Sequence, residues 1–341
     1  MQSIRVGIIG FGRIGAEHAA WLSIAGNARA VAVMDATPAR QELARQRGLR
    51  VVADIDALLA DTSIDAVLVS SPTAMHFDHA LAALAAGKHV MVEKPMALDL
   101  VQSRRLRDDA RARKLVLSVF HNRRWDIDYL TVRDAIASGT FGKLINIESR
   151  LGQFSSCVGP AAKEYRPNWR NEASFGGGGL YDWGSHFVDQ IWQLMLPARP
   201  VRVFAQLRAN LWSKDCDDFA RVLIDFDNGV AGLVEINTTT TSPLPRWHID
   251  GTLGSASSPP SPAFDTRVWA DLKFTPASGS PRAFPLASPG LNETQIWECF
   301  AAAVRGEGEP AVSIDGVLMA MALLDAARES SRLGKAVEIE G

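Results

Sequence analysis

A glycine-rich motif near the start of the chain has the residue types and spacing that bind phosphate. Gly10-Phe11-Gly12-Arg13-Ile14-Gly15 follows the pattern G-x-G-x-x-G and comes directly after an apolar run, Ile4–Ile9. In this pattern the first glycine permits a tight turn, the second lets the backbone approach a pyrophosphate, and the third allows close packing of a helix on a strand. A helix that begins in the motif would present free N–H groups and partial positive charge to the phosphates. The motif therefore predicts a dinucleotide site.

A carboxylate stands where such a site would need one. Asp35 ends the second apolar run, 20 residues beyond Gly15. At that position it can accept hydrogen bonds from both adenosine ribose hydroxyls, and it would repel the 2′-phosphate of NADP. The pattern favours NAD. NADP stays an alternative because Arg40 is near enough in sequence to offset the repulsion.

A lysine follows the fifth apolar run, His89–Val92, within Glu93-Lys94-Pro95. In an open α/β sheet the ligand crevice lies beyond the carboxyl ends of the strands. An ammonium there can hydrogen-bond a substrate oxygen and stabilise charge as a hydride leaves, and Glu93 could hold the nicotinamide ribose. The alternative is a surface lysine whose stem packs in a turn.

Four consecutive glycines, Gly176–Gly179, precede a second group of polar residues. If the segment is helical, Asp182 and His186 are four residues apart and share a face. The carboxylate would then orient the imidazole as a general base near neutral pH. An ordinary surface pair would have the same spacing.

The elements that must position these residues change in character along the chain. Apolar runs alternate with helical patterns over the first 120 or so residues, which predicts a doubly wound parallel sheet (α/β). Beyond about residue 125 the pattern favours an α+β domain with an open, mostly antiparallel sheet. We place the boundary so that the domains are 1–122 and 123–341. The Ser- and Pro-rich segment Gly254–Ala263 is expected to be an exposed loop.

Composition excludes several classes of protein. The 341 residues include 36 Lys and Arg against 38 Asp and Glu, so the net charge of −2 does not suit a nucleic-acid binder that depends on bulk positive charge. No apolar run approaches the roughly 20 residues that span a membrane. The start lacks the pattern of a signal peptide. The three cysteines have no metal-ligand spacing, so we expect no metal and a cytoplasmic location.

The motifs together resemble the glucose–fructose oxidoreductase / inositol dehydrogenase / MocA (GFO/IDH/MocA) family across nearly the whole chain. The matching segments, in the family's order, are Gly10–Gly15, Ser71-Pro72-Thr73-Ala74-Met75-His76, Ala85–Val90, Glu93-Lys94-Pro95 and Gly177–Asp189. The resemblance implies a Rossmann domain followed by a sheet domain that binds substrate and forms homodimers or homotetramers. It implies that Lys94, Asp182 and His186 form the catalytic set. It adds Ser71, Pro72, His76, Glu93 and Asn122 to the cofactor site.

Two stretches look most like the branch of the family that acts on cyclitols and aldose sugars, His121–Asp126 and Tyr181–His186. Within Tyr165-Arg166-Pro167-Asn168-Trp169-Arg170, aromatic rings can stack on a sugar face and arginine can donate to hydroxyls. Trp169, Arg170, Asn122 and Arg124 are predicted at the substrate rim, although packing roles fit each equally well.

The expected activity is hydride transfer between a sugar or cyclitol hydroxyl and a nicotinamide. Two alternatives stay open. One is a relative with tightly bound NAD that acts as a redox-assisted glycosidase or sugar oxidoreductase, and the other is a non-catalytic nucleotide-binding sensor.

Overall fold

The computed structural model describes residues 3–157, 169–261 and 264–339, and its first layer is a six-stranded parallel sheet. The spatial order is β3-β2-β1-β4-β5-β6, the doubly wound order that reverses beside β1. The strands are β1 (Ile4–Ile9), β2 (Ala28–Met34), β3 (Arg50–Val51), β4 (Ala66–Val69), β5 (His89–Val92) and β6 (Leu117–Val119).

Helices cover both faces of this sheet, which is why its strands are apolar throughout. All four residues of β4 are buried, for example, as expected for a strand covered on both sides. The helices between the strands are α1 (Arg13–Ile24), α2 (Pro38–Gln46), α3 (Ile55–Leu59), α4 (His76–Ala85) and α5 (Leu100–Ala112). The predicted parallel sheet is thus confirmed, with the short α3 as an unpredicted addition.

The second sheet has nine strands, in the order β14-β13-β12-β11-β7-β10-β9-β8-β15. Every neighbouring pair is antiparallel except β7 and β10, which are parallel. Its strands are β7 (Leu144–Gly152), β8 (Pro200–Arg208), β9 (Phe219–Phe226), β10 (Ala231–Asn237), β11 (Trp247–Gly251), β12 (Gly254–Ser257), β13 (Lys273–Pro276), β14 (Arg282–Ala283) and β15 (Val337–Glu338).

The expectation of a loop from Gly254 was wrong for the start of that segment. Gly254–Ser257 is strand β12, which pairs with β11 on one side and β13 on the other. Ala256 is 1% exposed between two partly exposed serines, so the segment has the alternation of a half-buried strand despite its composition.

Five further helices accompany the second sheet: α6 (Ile127–Ala137), α7 (Ser185–Met195), α8 (Thr266–Trp269), α9 (Glu293–Val304) and α10 (Asp315–Leu333). Helix α9 returns to the first layer, although its sequence lies inside the predicted 123–341 domain. Its Trp297 and Phe300 are fully buried in the same apolar cluster as residues of β1 and α1. In the described part of the chain, no helix combines the length and apolar character needed to cross a bilayer.

Candidate active site

The glycine-rich motif forms the turn between β1 and α1. Gly10 has a φ of +90°, in the region that favours glycine. A Cβ on Gly15 would lie 2.1 Å from the Gly10 carbonyl oxygen, so only glycine permits this close approach. Gly12 is the N-cap residue of α1, and a Cβ there would meet no atom within 4 Å. The motif thus leaves open space in front of the helix N-terminus, as a phosphate would require.

That space is a cavity of about 300 Å³, and Asp35 lies in its wall. Its Oδ2 accepts a hydrogen bond from the Phe11 backbone N–H at 2.5 Å, and its Oδ1 accepts one from the Thr37 N–H at 2.8 Å. Asp35 therefore fixes the glycine loop while its other lone pairs stay available. The Phe11 side chain is fully buried, so it presents only its backbone to this network. Arg40 lines the same cavity.

A second cavity of about 100 Å³ continues the first towards the predicted catalytic residues. Arg13, Ile14 and Ser71 line both cavities. The second also includes Glu93, Lys94 and Asp182 in its wall. The two form one cleft, which runs from the glycine loop to the junction between the sheets.

Lys94 enters this junction from the end of β5. Its Nζ donates to the Asp182 backbone carbonyl at 2.8 Å and lies 3.7 Å from Asp182 Oδ1. Burial lowers the pKa of Lys94 below its ordinary value, although the charges of Asp182 and Glu93 act in the opposite direction. The structure thus places an ammonium from the first sheet against a residue of the second domain.

Asp182 does not pair with His186, contrary to the expectation from their spacing. Residues Leu180–Gly184 form a π-helical turn that precedes α7, so Asp182 and His186 do not stand in one regular α-helix. The Asp182 carboxylate instead lies 3.7 Å from Arg170 Nε as well as 3.7 Å from Lys94 Nζ. It is a counter-ion shared by two cations.

His186 is buried in the first turn of α7, with 4% of its surface exposed. Among the described residues its Nδ1 has no hydrogen-bond partner, and its ring centroid lies 6.0 Å from that of His121. Burial, followed by the positive charges of Lys94 and Arg123, holds the pKa of His186 well below its usual range. Both effects disfavour the charged imidazole, and the ring does not form part of the wall of either cavity.

The other predicted site residues divide between the cleft and its surroundings. Trp169 and Arg170 line both cavities, with the Arg170 guanidinium 4.3 Å from the Trp169 ring centroid. Residues 165–168 of that stretch lie outside the described part of the chain. Ser71 and Pro72 line the first cavity, and His76 lines the second.

Arg124 and Asn122 are not placed at the rim. Arg124 makes two hydrogen bonds to the Asp189 carboxylate, at 2.8 and 2.6 Å, and another to the Gly316 carbonyl at 3.1 Å. This buried ion pair occupies the guanidinium, which corrects its assignment to substrate. Asn122 donates to Glu293 Oε1 at 3.3 Å. Neither Arg124 nor Asn122 lines either cavity.

Two groups of contacts were not predicted from the sequence. The Tyr181 hydroxyl donates to the Leu98 carbonyl, and Arg328 Nη1 donates to both that hydroxyl and that carbonyl. In the second group, His18 is fully buried and contacts Glu93. No local sequence signal could have shown these contacts, because the partners are from 75 to 230 residues apart. Across the described ranges, no three His, Cys, Asp or Glu side chains are arranged to hold a metal ion.

A parallel sheet with a glycine-rich phosphate loop, joined at a cleft to an open sheet domain, defines a class of two-domain nucleotide-binding proteins. Residues 4–121 match the family described as "Oxidoreductase family, NAD-binding Rossmann fold", and residues 129–257 match the "GFO/IDH/MocA C-terminal domain". The chain therefore belongs to the GFO/IDH/MocA family, and the predicted NAD-binding Rossmann fold is confirmed.

Individual relatives vary in how much of their length the chain matches. It is 37% identical over 217 residues to the uncharacterized oxidoreductase YdgJ of Escherichia coli. This match covers 63% of this chain and 60% of YdgJ, less than two thirds of that protein. It is 29% identical over 345 residues to inositol 2-dehydrogenase 2 of Saccharopolyspora erythraea, and this match covers 99% of this chain and 96% of that enzyme. The crystal structure of an NAD-binding protein from Listeria innocua superposes with a TM-score of 0.88 at 28% identity, covering 100% of this chain and 98% of the other.

Proposed function

We propose that the protein is an NAD(P)-dependent dehydrogenase that oxidises a hydroxyl of a sugar or cyclitol, or reduces the corresponding ketone. The observation that carries the proposal is the contact between Lys94 and Asp182 at the inner end of the glycine-loop cleft. An ammonium fixed at that point can bind the oxygen of a reacting carbinol.

The residues of the cleft fit a bound dinucleotide. The open space before Gly12 suits a pyrophosphate, Asp35 suits the adenosine ribose, and Glu93 suits the nicotinamide ribose. When bound, the nicotinamide supplies the carbon that accepts or donates the hydride. Asp35 supports NAD as the preferred cofactor. Arg40 in the same wall keeps NADP as the alternative.

The chain's own residues would orient the substrate and move its proton. Lys94 uses one N–H on the Asp182 carbonyl, which leaves two for the substrate oxygen. Its positive charge stabilises the oxygen as the hydroxyl loses its proton. The neutral imidazole of His186 is the proposed proton acceptor, which requires the ring to gain access to the substrate when the cleft is occupied.

A polyhydroxylated substrate is supported by the walls of the cleft and by one relative's name. Trp169 offers an aromatic face and Arg170 offers several N–H donors, the two groups that bind sugar faces and hydroxyls. The relative from S. erythraea is named an inositol 2-dehydrogenase.

We also propose assembly as a homodimer or homotetramer through the second sheet. Phe204, Leu223 and Leu233 are paired across β8, β9 and β10 and are each partly or largely exposed, so an apolar row crosses one face of the sheet. A cytoplasmic location is supported by the cysteines Cys157, Cys216 and Cys299, which are all free thiols.

The test is the change in reduced-nicotinamide absorbance when purified protein is given NAD or NADP with a panel of cyclitols, aldoses and glycosides. Turnover should fall by about a hundredfold or more in Lys94→Met, while NADH binding persists. The matched control is Lys273→Met, because Lys273 is an exposed residue of β13. NADH binding without turnover of any compound would favour a sensor. Glycoside cleavage without NADH release would favour the redox-assisted activity.

A further inference from the structure

We propose that His18 is a positioning residue that holds the Glu93 carboxylate ionised and oriented in the cleft, and that Trp297 selects the tautomer that allows it. This proposal rests on the proposed function, in which Glu93 contacts the cofactor. It concerns a buried chain of hydrogen bonds that joins α9, α1 and the end of β5.

The chain of contacts is continuous. Trp297 Nε1 lies 3.0 Å from His18 Nδ1, and His18 Nε2 lies 2.7 Å from Glu93 Oε1. The other carboxylate oxygen, Glu93 Oε2, accepts a hydrogen bond from the Lys94 backbone N–H at 3.1 Å. The path therefore connects a helix of the C-terminal region to the backbone of the proposed catalytic lysine.

The chemistry of the three groups fixes the position of the proton. An indole N–H can only donate, so His18 Nδ1 must accept. A neutral imidazole that accepts at Nδ1 has its proton on Nε2, and that N–H faces the Glu93 carboxylate, which can accept it. If His18 were charged, its Nδ1–H would face the N–H of Trp297. The geometry thus selects a neutral ring with one defined tautomer.

His18 cannot obtain these hydrogen bonds from water. It is fully buried, with its ring 4.3 Å from that of Phe120 and 4.9 Å from that of Trp21, both edge-on. Losing Trp297 or Glu93 as a partner would therefore leave a ring nitrogen unpaired inside the protein.

Glu93 needs this donor because it is itself removed from water. Burial alone would raise the pKa of Glu93, but the hydrogen bond from His18 and the nearby charge of Lys94 hold it below its usual value. His76, on α4, is buried between the carbonyls of Pro95 and Ser71. Without His18, the carboxylate would lose the one side-chain donor that the described residues give it and would take up a proton more readily.

The tautomer can be read directly by ¹⁵N NMR of histidine-labelled protein, because the two nitrogens of a neutral ring differ in shift according to which is protonated. The His18 signal is assigned by its loss in His18→Gln. We expect the Nε2–H tautomer at pH 7, with or without NADH. An Nδ1–H tautomer or a charged ring would overturn the proposal.

Variants then test the effect on the cleft through NADH affinity measured by calorimetry. Trp297→Phe removes the N–H together with part of the indole ring, so the Nδ1–H tautomer becomes populated and the NADH Kd should rise by a few-fold. The matched control is Trp192→Phe, because Trp192 Nε1 has no hydrogen-bond partner among the described residues and its loss should leave the Kd within about twofold.

His18 itself gives the larger effect. His18→Leu should raise the NADH Kd by about tenfold or more, since a hydrogen bond to a charged group is lost. His18→Gln should restore most of the affinity, because its amide offers both an acceptor and a donor. Wild-type affinity in His18→Leu, or equal effects of Trp297→Phe and Trp192→Phe, would refute the role. A wild-type protein that binds NADH but oxidises no polyol would contradict only the proposed function and leave this test decisive.

Discussion

Gly12 and Gly15 should allow cofactor binding and fold stability to be perturbed separately. Both belong to the same six-residue motif, but a methyl group would meet different surroundings at each. At Gly12, with φ of −64°, the added Cβ meets no atom within 4 Å and projects into the open space of the cavity. At Gly15 it would lie 2.1 Å from the Gly10 carbonyl oxygen and 2.9 Å from Ser70 Oγ.

The magnitudes follow from those distances. Gly12→Ala destabilises the folded state because alanine is a poorer N-cap residue than glycine, but it also lowers the entropy of the unfolded chain, which stabilises the fold. The free energy of unfolding should therefore change by no more than about 1 kcal/mol. Its methyl group would occupy the space proposed for a pyrophosphate, which should raise the NADH Kd by about tenfold or more. Gly15→Ala forces α1 away from a backbone atom, at a cost of about 3 kcal/mol and a decrease in Tm of roughly 5 °C or more.

The assay combines thermal unfolding of the cofactor-free variants with NADH titration by calorimetry. We expect Gly12→Ala to have the wild-type Tm but a raised NADH Kd, and Gly15→Ala to have a lower Tm. Wild-type NADH affinity in Gly12→Ala would refute the placement of the pyrophosphate at this turn. A wild-type Tm in Gly15→Ala would show that the helix can move at little cost.

Three other substitutions test the electrostatics. Asp182→Asn removes a charge that supports protonation of Lys94, so the high-pH limb of kcat/KM should move to lower pH. Burial raises the pKa of Asp217 from 3.8 to about 7, so between these pH values the folded state keeps a proton that the unfolded chain releases. The free energy of unfolding should therefore fall as pH rises from about 4 to about 7. Asp217→Asn should lack that fall, which measurements of Tm from pH 4 to pH 8 will show. Arg246→Met should cost about 3 kcal/mol in denaturant unfolding, because Arg246 is buried with its Nε 3.6 Å from the Asp128 carboxylate.

Parallel strands were predictable because burial on both faces leaves a continuous apolar run. The bounds of β1 and β5 follow the runs Ile4–Ile9 and His89–Val92 residue for residue. Strand β12 was not predicted, because its Gly and Ser residues have the composition of a loop and only Ala256 is fully buried. A weak alternation of this kind becomes a strand only when β11 and β13 supply hydrogen bonds on both sides.

The site was predictable where one local motif determines its geometry. The glycine turn and Asp35 depend on a single β-α-β unit, and the structure brings them into one cavity. The partner of Asp182 depends on the conformation of its own turn and on the packing of Lys94, which lies 88 residues away in the sequence. The four-residue spacing of Asp182 and His186 determines neither. The same limit applies to His18 and Trp297, separated by 279 residues, so that the burial of a histidine near a glycine motif says nothing about its partner.

The contact of Asp182 with Lys94 changes what each residue of the proposed catalytic set does. Because its carboxylate lies between Lys94 and Arg170, Asp182 balances positive charge and does not activate the imidazole. His186 is kept neutral by burial and by neighbouring cations, so it can accept a proton only weakly until substrate binding changes its surroundings. In the proposed function Lys94, whose pKa is already lowered by burial, is therefore the group whose protonation most directly governs the charge on the reacting oxygen. Its alignment depends on a backbone carbonyl from the second domain, so any movement that separates the two sheets would break the proposed reacting arrangement and remove Trp169 and Arg170 from the cleft, while the glycine loop and Asp35 would stay together.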